Sequence, residues 1–183
     1  SKIIRSDIHV ILDDVLIPKT GGSPTNRVRV LAQGKGEWLT VPIQRESGVN
    51  YRVCEVSPVD DWKPMLLNKI FNCYRKSRYF DITHALLERL WTFNAKKLSE
   101  FNIHANEAIL SCLVEEKPRV VKSSDLLIKN TGSKRLVEIV QAVGGTTYLC
   151  GDGSSSYLDE ADFSNAGISL IYTKDRKSTR LNS

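Results

Sequence analysis

The sequence predicts an α/β protein with a parallel sheet at its core, into which a β-hairpin and a helical segment are inserted. Three observations lead to this fold class. An apolar run at residues 8–15 is typical of a buried strand, and residues 62–113 show the three- and four-residue apolar spacing of amphipathic helices. From Arg119 onward, strand and helix patterns alternate, which favours right-handed crossovers between parallel strands.

Residues 26–43 carry the pattern of the inserted hairpin, since alternating apolar and polar residues flank a glycine-rich turn at residues 34–36. The alternation places Arg27 and Arg29 on one face, where they either meet a phosphate or remain solvated. A third extended piece, residues 51–56, is a candidate further strand of the same sheet.

Three amphipathic helices are predicted next, with apolar stripes in residues 65–74, 86–98 and 103–113. We interpret the aromatic residues of these stripes as core. His104 lies at the opening of the third helix. A lone histidine there is either a satisfied structural residue or part of a site.

The alternating C-terminal pattern gives the remaining elements. Residues 119–122, 147–150 and 168–172 are predicted strands, and residues 133–143 and 157–166 are predicted helices. Crossovers of this kind bring the carboxyl ends of the strands to one edge of the sheet, where ligands gather in open α/β folds.

A glycine turn follows the second of these strands and is the first candidate site. Gly151 and Gly153 lack side chains, so the backbone there can adopt unusual dihedral angles and let a ligand approach. The N–H groups that follow, together with the hydroxyls of Ser154 and Ser156, can hold a phosphate or a carboxylate before Tyr157 opens the next helix. A tight connection capped by serine explains the same residues.

Polar residues at the ends of two other predicted strands are expected at the same edge. Ser123 and Ser124 follow one strand, and Asp13 and Asp14 end the first strand, shortly before Lys19. Successive residues of a strand point to opposite faces, so at most one of the two aspartates is expected to face a ligand. A simple strand-end turn is the alternative.

Composition and length bound the function classes. A chain of 183 residues with 41% hydrophobic and 26% charged residues fits one domain with a sizeable core. No apolar run approaches the roughly 18 residues of a membrane span, and no secretory signal pattern is present, so a cytoplasmic protein without membrane insertion is expected. The four cysteines form no CxxC pair and are interpreted as buried thiols, and no metal-binding pattern is found.

The termini carry two further expectations. Residues 175–183, DRKSTRLNS, match the translation of a common sequencing-adapter read-through and are interpreted as a non-native tail, which leaves residues 1–174 as the single domain. Without that tail, which has three basic residues and one acidic residue, the formal charge falls from +5 to +3. This charge is too mild to predict a nucleic-acid partner.

Several motifs in order resemble the WbqC-like family of bacterial proteins, which are typically encoded among genes for O-antigen and related surface polysaccharides. The motifs are DIHVILDDVLIPKTGGSPTNRVRV, WLTVPI, FNIHANEAIL, RVVKSSDL and GSKRLVEIVQAVGGTTYLCGDGSSSYLDEADFSNAGI. The family normally begins with a further strand, a His-Gln-Pro motif and a Gly-Tyr-Phe helix. The sequence starts after that part, so we expect a truncated N-terminus, and an inactive chain if the histidine is catalytic.

The resemblance implies a Rossmann-like, nucleotidyltransferase-like core and an acyl or aminoacyl transferase acting on a nucleotide-linked amino sugar, with ATP or acyl-CoA as the possible co-substrate. A non-catalytic module that binds sugar nucleotides is the alternative. In the transferase interpretation, Lys19, Arg27 and the glycine-serine turn hold phosphates, and Asp14 orients the amine or a metal. The candidate catalytic residues are therefore Asp14, Lys19 and His104, and the candidate substrate-binding residues are Asp13, Asn26, Arg27, Ser123, Ser124, Gly151, Gly153, Ser154, Ser156 and Tyr157.

Overall fold

The computed structural model describes residues 2–18, 23–46, 48–151 and 158–173. Within these residues the protein is a mixed α/β structure with short parallel strand pairs. The strands and α-helices, in chain order, are β1 (Ile8–Ile11), β2 (Arg27–Ala32), β3 (Lys35–Thr40), β4 (Ile43–Gln44), β5 (Ser57–Pro58), α1 (Trp62–Tyr74), α2 (Phe80–Trp91), α3 (Leu98–Leu113), β6 (Arg119–Lys122), α4 (Gly132–Ala142), β7 (Thr147–Gly151), α5 (Glu160–Asn165) and β8 (Ser169–Thr173).

The chain divides into two compact units. The larger unit is Leu12–Glu115, and the smaller one combines Ser1–Ile11 with Glu116–Ser183. Among the described residues, two apolar clusters lie in the Leu12–Glu115 unit and one lies in the other unit. Of the helices that the structure describes, none is both long enough and apolar enough to cross a bilayer.

In the Leu12–Glu115 unit, the predicted hairpin is confirmed as the antiparallel pair of β2 and β3. Its turn lies at Gln33 and Gly34, whose φ angles of 49° and 77° belong to a two-residue turn that matches the twist of the strands. The turn therefore comes one residue earlier than predicted. Val30 and Leu39, from the inner face of the hairpin, are buried in the same core cluster as residues of α1 and α3.

The prediction that residues 51–56 extend the hairpin sheet is wrong. Arg52 instead forms an isolated antiparallel bridge with Leu16, and Val53–Glu55 is a short 3₁₀ helix. The strand that follows, β5, pairs with β4. Backbone groups of this segment bond to residues distant in sequence, as the Val53 N–H does to the Val15 carbonyl, and those groups are not available to the edge of the hairpin.

The three predicted helices are confirmed as α1, α2 and α3. Their shared core is aromatic: the ring of Trp62 meets that of Phe101 edge to face at 5.0 Å and lies 6.2 Å from that of Trp91. Leu98 is fully buried against Val56 at the start of α3. The second helix ends at Trp91, so the predicted stripe of residues 86–98 runs past it into α3.

In the Ser1–Ile11 and Glu116–Ser183 unit, the predicted parallel pairing is confirmed in two separate pairs. Strand β1 pairs with β6, and β7 pairs with β8. Helix α5 begins at Glu160 rather than at residue 157, because the Asp159 carboxylate caps it by accepting a hydrogen bond from the Ala161 N–H at 3.0 Å. Phe163 of α5 is fully buried at the centre of this unit's core.

The cysteines depart from the prediction of four buried thiols. All are free, but Cys150 alone among them is buried, whereas Cys54 and Cys73 are half-buried and Cys112 is exposed. Cys112 lies in the last turn of α3.

Candidate functional site

The predicted site residues are divided between the two units. Asp13, Asp14, Asn26, Arg27 and His104 belong to the Leu12–Glu115 unit. Ser123, Ser124 and Gly151 belong to the other unit. The remaining predicted residues lie outside the described residues; they are Lys19, Gly153, Ser154, Ser156 and Tyr157. The meeting of all these residues at one sheet edge therefore stays a prediction.

Asp13 and Asp14 lie in a turn beyond the end of β1, which is the alternative that the sequence left open, and not in the strand itself. Strand β1 stops at Ile11, and the following segment bonds to residues 51–54 instead. The Cys54 N–H donates to the Asp13 carbonyl at 2.7 Å, and the Arg52 guanidinium donates to the Asp14 carbonyl at 2.9 Å. The expected alternation of the two aspartates on opposite strand faces is thus absent.

The turn brings both carboxylates near one thiol. Asp13 is 3% exposed, and Asp14 lies with its Oδ2 3.9 Å from the Arg52 Nη1. Burial raises the pKa of Cys54, and the negative charges of Asp13, Glu55 and Asp14 raise it further. The raised pKa disfavours the thiolate, which is the form of cysteine that acts as a nucleophile and as a metal ligand.

Asn26 fixes the loop that leads into the hairpin. Its Oδ1 accepts a hydrogen bond from the Ser23 N–H at 3.0 Å, and its Nδ2 donates to the Val41 carbonyl at 3.2 Å. The side chain is 7% exposed. Both ends of the amide are thus used by the backbone, and the visible contribution of Asn26 is to position the residue that follows it, Arg27.

Arg27 lies on an exposed face of the hairpin that carries a second arginine and a tryptophan. The Arg27 guanidinium lies 4.1 Å from the centroid of the Trp38 ring, and that of Arg29 lies 5.9 Å from it. Trp38 stands directly across the ladder from Arg29 and is 50% exposed. The predicted placement of the two arginines on one face is confirmed. We call these three residues the arginine–tryptophan face.

The charges of this face are not neutralised by acidic side chains of the described residues. Neither Arg27 nor Arg29 forms an ion pair there, and Arg29 donates one hydrogen bond, to the Gly36 carbonyl at 3.3 Å. Guanidinium groups bind phosphate and carboxylate in a bidentate manner, and an exposed indole ring offers a surface for stacking. The face is therefore suited to an anion attached to a planar or ring-shaped group.

His104 stacks on Phe93, with ring centroids 4.0 Å apart and ring planes inclined by 16°. His104 lies within α3 and not at its opening as predicted, because the helix begins six residues earlier, at Leu98. Two residues before His104, the Asn102 side chain donates to the Thr25 carbonyl at 2.8 Å. The stacking is the contact expected of a structural histidine. The Asn102 contact joins α3 to the loop that precedes Arg27.

In the second unit, Ser123 and Gly151 mark the ends of two strands. Ser123 follows β6 and is fully buried, with Ser124 next to it in a 3₁₀ turn. Gly151 ends β7, and a Cβ atom built on it would lie 3.5 Å from the Lys2 Nζ, which is an ordinary contact. A lysine ammonium group thus lies beside the last residue of β7.

The structure adds three residues that the sequence-based selection missed: Trp38, Arg29 as a partner of Trp38, and Lys2. The cross-strand pairing of Arg29 with Trp38 was available from the hairpin pattern, but only with the turn placed at its true position. Lys2 has no local signal. Within the described ranges, no three His, Cys, Asp or Glu side chains are grouped as a metal site would require.

Comparison of the sequence with known proteins identifies its family. The sequence profile of the WbqC-like protein family matches residues 1–180. A relative from Mycobacterium tuberculosis, the uncharacterized protein Rv1507c, is 26% identical over 169 residues, which cover 91% of this chain and 71% of that protein. No solved structure matches the chain significantly. Because the family profile spans nearly its whole length, the chain belongs to the WbqC-like protein family.

Proposed function

We propose that this protein binds a nucleotide-linked amino sugar and acts on it as an acyl or aminoacyl transferase of bacterial surface polysaccharide synthesis. The observation that carries the binding part is the arginine–tryptophan face. Two guanidinium groups that lack acidic partners among the described residues flank a half-exposed indole ring, 4.1 Å and 5.9 Å from its centroid. A nucleoside diphosphate supplies a partner for each: its negatively charged phosphates bind the guanidinium groups, and its base stacks on the indole ring.

The rigidity of the hairpin supports this role. Val30 and Leu39 anchor its inner face in the core, and the Asn26 amide ties the strand that carries Arg27 to Val41. The arginines are therefore presented by a fixed scaffold, which lowers the entropy lost when a ligand binds.

The catalytic part rests on the family and on the residues around Asp14. In this proposal Asp14 orients the acceptor amine, Lys19 and the glycine-serine turn hold phosphates together with Arg27, and ATP or acyl-CoA supplies the activated group. The proposal also takes the two compact units as parts of one Rossmann-like, nucleotidyltransferase-like domain in the cytoplasm. If ligand binding occurs without transfer, the protein is a sugar-nucleotide-binding module of the same pathway.

The experiment is a calorimetric titration of the chain with UDP-glucosamine, and with UDP alone. We expect both to bind, and Arg27→Ala to weaken the affinity for UDP roughly tenfold or more, the loss of a charge-assisted contact to phosphate. The matched control is Arg78→Ala, because the Arg78 guanidinium also lies over an exposed aromatic ring, that of Tyr79 at 5.1 Å. Equal affinities in Arg27→Ala and the unaltered chain would reject the proposed phosphate site.

Transfer is tested separately, by product formation with the unaltered chain. Incubation with UDP-glucosamine and acyl-CoA, or with an acid and ATP, should yield the N-acylated sugar, detected by mass spectrometry. Asp14→Asn should abolish product while UDP affinity is retained. Binding of UDP-glucosamine without product under either condition would favour the binding module.

A further inference from the structure

A cleft in the Leu12–Glu115 unit lies apart from all the residues selected above. Its volume is about 430 Å³, within the range of roughly 300–1,000 Å³ typical of small-molecule sites. Three segments form its walls: the β4 and β5 pair, the first turn of α1, and the connection between α2 and α3. None of the arginine–tryptophan face lines it.

The walls are locked to one another by hydrogen bonds. The Lys63 ammonium group donates to the carbonyls of Trp91 at 2.9 Å and Phe93 at 2.6 Å, and the Trp91 indole N–H donates back to the Lys63 carbonyl at 2.9 Å. The Val59 N–H bonds to the Pro42 carbonyl at 2.9 Å. These bonds hold the first turn of α1 against the connection between α2 and α3, and they tie the ends of the β4 and β5 pair together.

Most polar side chains that line the cleft have no hydrogen-bond or ion-pair partner among the described residues. Five side chains of the lining are exposed to solvent and make no hydrogen bond or ion pair within the described part of the chain: Gln44, Asp60, Asp61, Asn94 and Lys96. The Lys63 ammonium, by contrast, is used by its two carbonyl partners. A ligand in the cleft thus meets two carboxylates, two amides and one ammonium group that have no other partner among the described residues.

We propose that this cleft binds a hydroxylated ring of about hexose size that carries a primary amino group. The protonated amine complements the carboxylates of Asp60 and Asp61. The amides of Gln44 and Asn94 both donate and accept, as ring hydroxyls require. Pro58, Val59 and Pro64 offer aliphatic surface to the C–H face of the ring, which loses its contact with water there. Lys96 donates to hydroxyl oxygens of the same ring.

The test is calorimetric titration of the whole chain with glucosamine and with N-acetylglucosamine, which share their ring and hydroxyls but differ in the charged amine. We expect glucosamine to bind at least roughly tenfold more tightly, the ratio given by one charge-assisted contact. Asp61→Asn should weaken glucosamine binding about tenfold. Asp81→Asn, which removes an exposed acid from the first turn of α2 outside the cleft, should leave it unchanged.

A second variant guards against loss of the fold. Asp61 has a φ of 59°, so Asp61→Gly suits the backbone and removes the carboxylate without strain. It should lose glucosamine binding while its circular dichroism and UDP affinity stay as in the unaltered chain. Equal binding of the two sugars, no binding of either, or glucosamine binding that survives both Asp61 variants would overturn the proposal. Because UDP reports on the hairpin and glucosamine on the cleft, each site fails or succeeds alone.

Discussion

The guanidinium group of Arg27 lies 4.1 Å from the centroid of the Trp38 ring, across the hairpin that the two residues share. Arg27 begins β2 and Trp38 lies in β3, so the contact depends on the antiparallel register in which Trp38 faces Arg29. The contact orders a positively charged group on an exposed surface without neutralising it. This relationship is the basis for the proposed nucleotide site.

The chemistry of the guanidinium should matter beyond its charge. In Arg27→Lys the positive charge remains, but the planar fork that binds phosphate and stacks on Trp38 is lost. We expect calorimetry to show an affinity for UDP several-fold below that of the unaltered chain, yet above that of Arg27→Ala, roughly as single hydrogen bonds allow. Arg78→Lys serves as the control. Full retention of affinity in Arg27→Lys would mean that charge alone attracts the ligand.

Leu98 should be a major determinant of stability in the Leu12–Glu115 unit. It is fully buried at the start of α3, in the cluster of Ile17, Val53 and Val56. Leu98→Ala should lower the free energy of unfolding by about 2–5 kcal/mol through lost burial and the cavity left behind. Leu113→Ala, at the other end of the same helix and 70% exposed, should change it by less than about 0.5 kcal/mol. Urea unfolding followed by circular dichroism measures both, and similar values would contradict the assigned core.

Replacement of Leu127 should stabilise the other unit. Leu127 follows the 3₁₀ turn with φ 52° and ψ 38°, a left-handed conformation that is unfavourable for a branched residue, and its side chain is 85% exposed. Leu127→Gly should therefore raise the free energy of unfolding by roughly 0.5–1 kcal/mol, since the relief of strain exceeds the added freedom of the unfolded chain.

In a comparison variant, the free energy of unfolding should change in the opposite direction. Ile82 is 76% exposed within α2, where the backbone is helical, and Ile82→Gly should lower the free energy of unfolding by roughly 0.5–1 kcal/mol. Thermal unfolding of the two variants beside the unaltered chain checks the pair. A loss of stability in Leu127→Gly would mean that the left-handed conformation costs little at this position.

His9 should make the stability depend on pH. Burial in β1 lowers the pKa of His9 below its ordinary value of 6.5, and the positive charge of Lys2 lowers it further. Between that lowered pKa and 6.5 the unfolded chain binds more protons than the folded one. The contribution of His9 to stability is therefore complete above 6.5 and is lost as the pH falls below it.

The pH prediction is checked by urea unfolding at about pH 7.5 and about pH 5.5, on either side of the ordinary histidine pKa. The decrease in stability on acidification should be smaller in His9→Gln, whose side chain does not titrate, than in the unaltered chain. An equal decrease in both would show that His9 is not the group responsible.

The local spacing of apolar residues was sufficient to predict most helices and strands, but not the candidate site. The spacing of apolar residues predicted α1, α3, α4 and the strand pair β2 and β3, because each of these buries a stripe or face that repeats within a few residues. The sequence left the turn at Asp13 and Asp14 as one of two alternatives, and local periodicity could not select the turn. It exists because the chain beyond Ile11 bonds to residues 51–54, some forty positions later, and no local pattern records that partner.

The arginine–tryptophan face was not predicted from the sequence for a similar reason. Arg27 and Arg29 were placed on one face by alternation, but the partner of Arg29 depends on the register, and a turn placed one residue too late shifts every cross-strand pair. The cleft beside α1 depends on contacts among three segments and has no sequence signature. In the sequence, Asp60 and Asp61 are ordinary residues at the start of a helix. Only the structure shows that they line the cleft and that their carboxylates lack partners among the described residues.

The most direct test of the proposed nucleotide site is the tryptophan fluorescence of the chain during titration with UDP. Trp38 is 50% exposed on the arginine–tryptophan face, whereas Trp62 is buried and Trp91 is half-buried in the core. We predict saturable quenching in the unaltered chain and little quenching in Trp38→Phe, which retains a stacking ring. Quenching that is the same in both chains, or UDP binding without any change in fluorescence, would contradict a nucleotide site at Trp38.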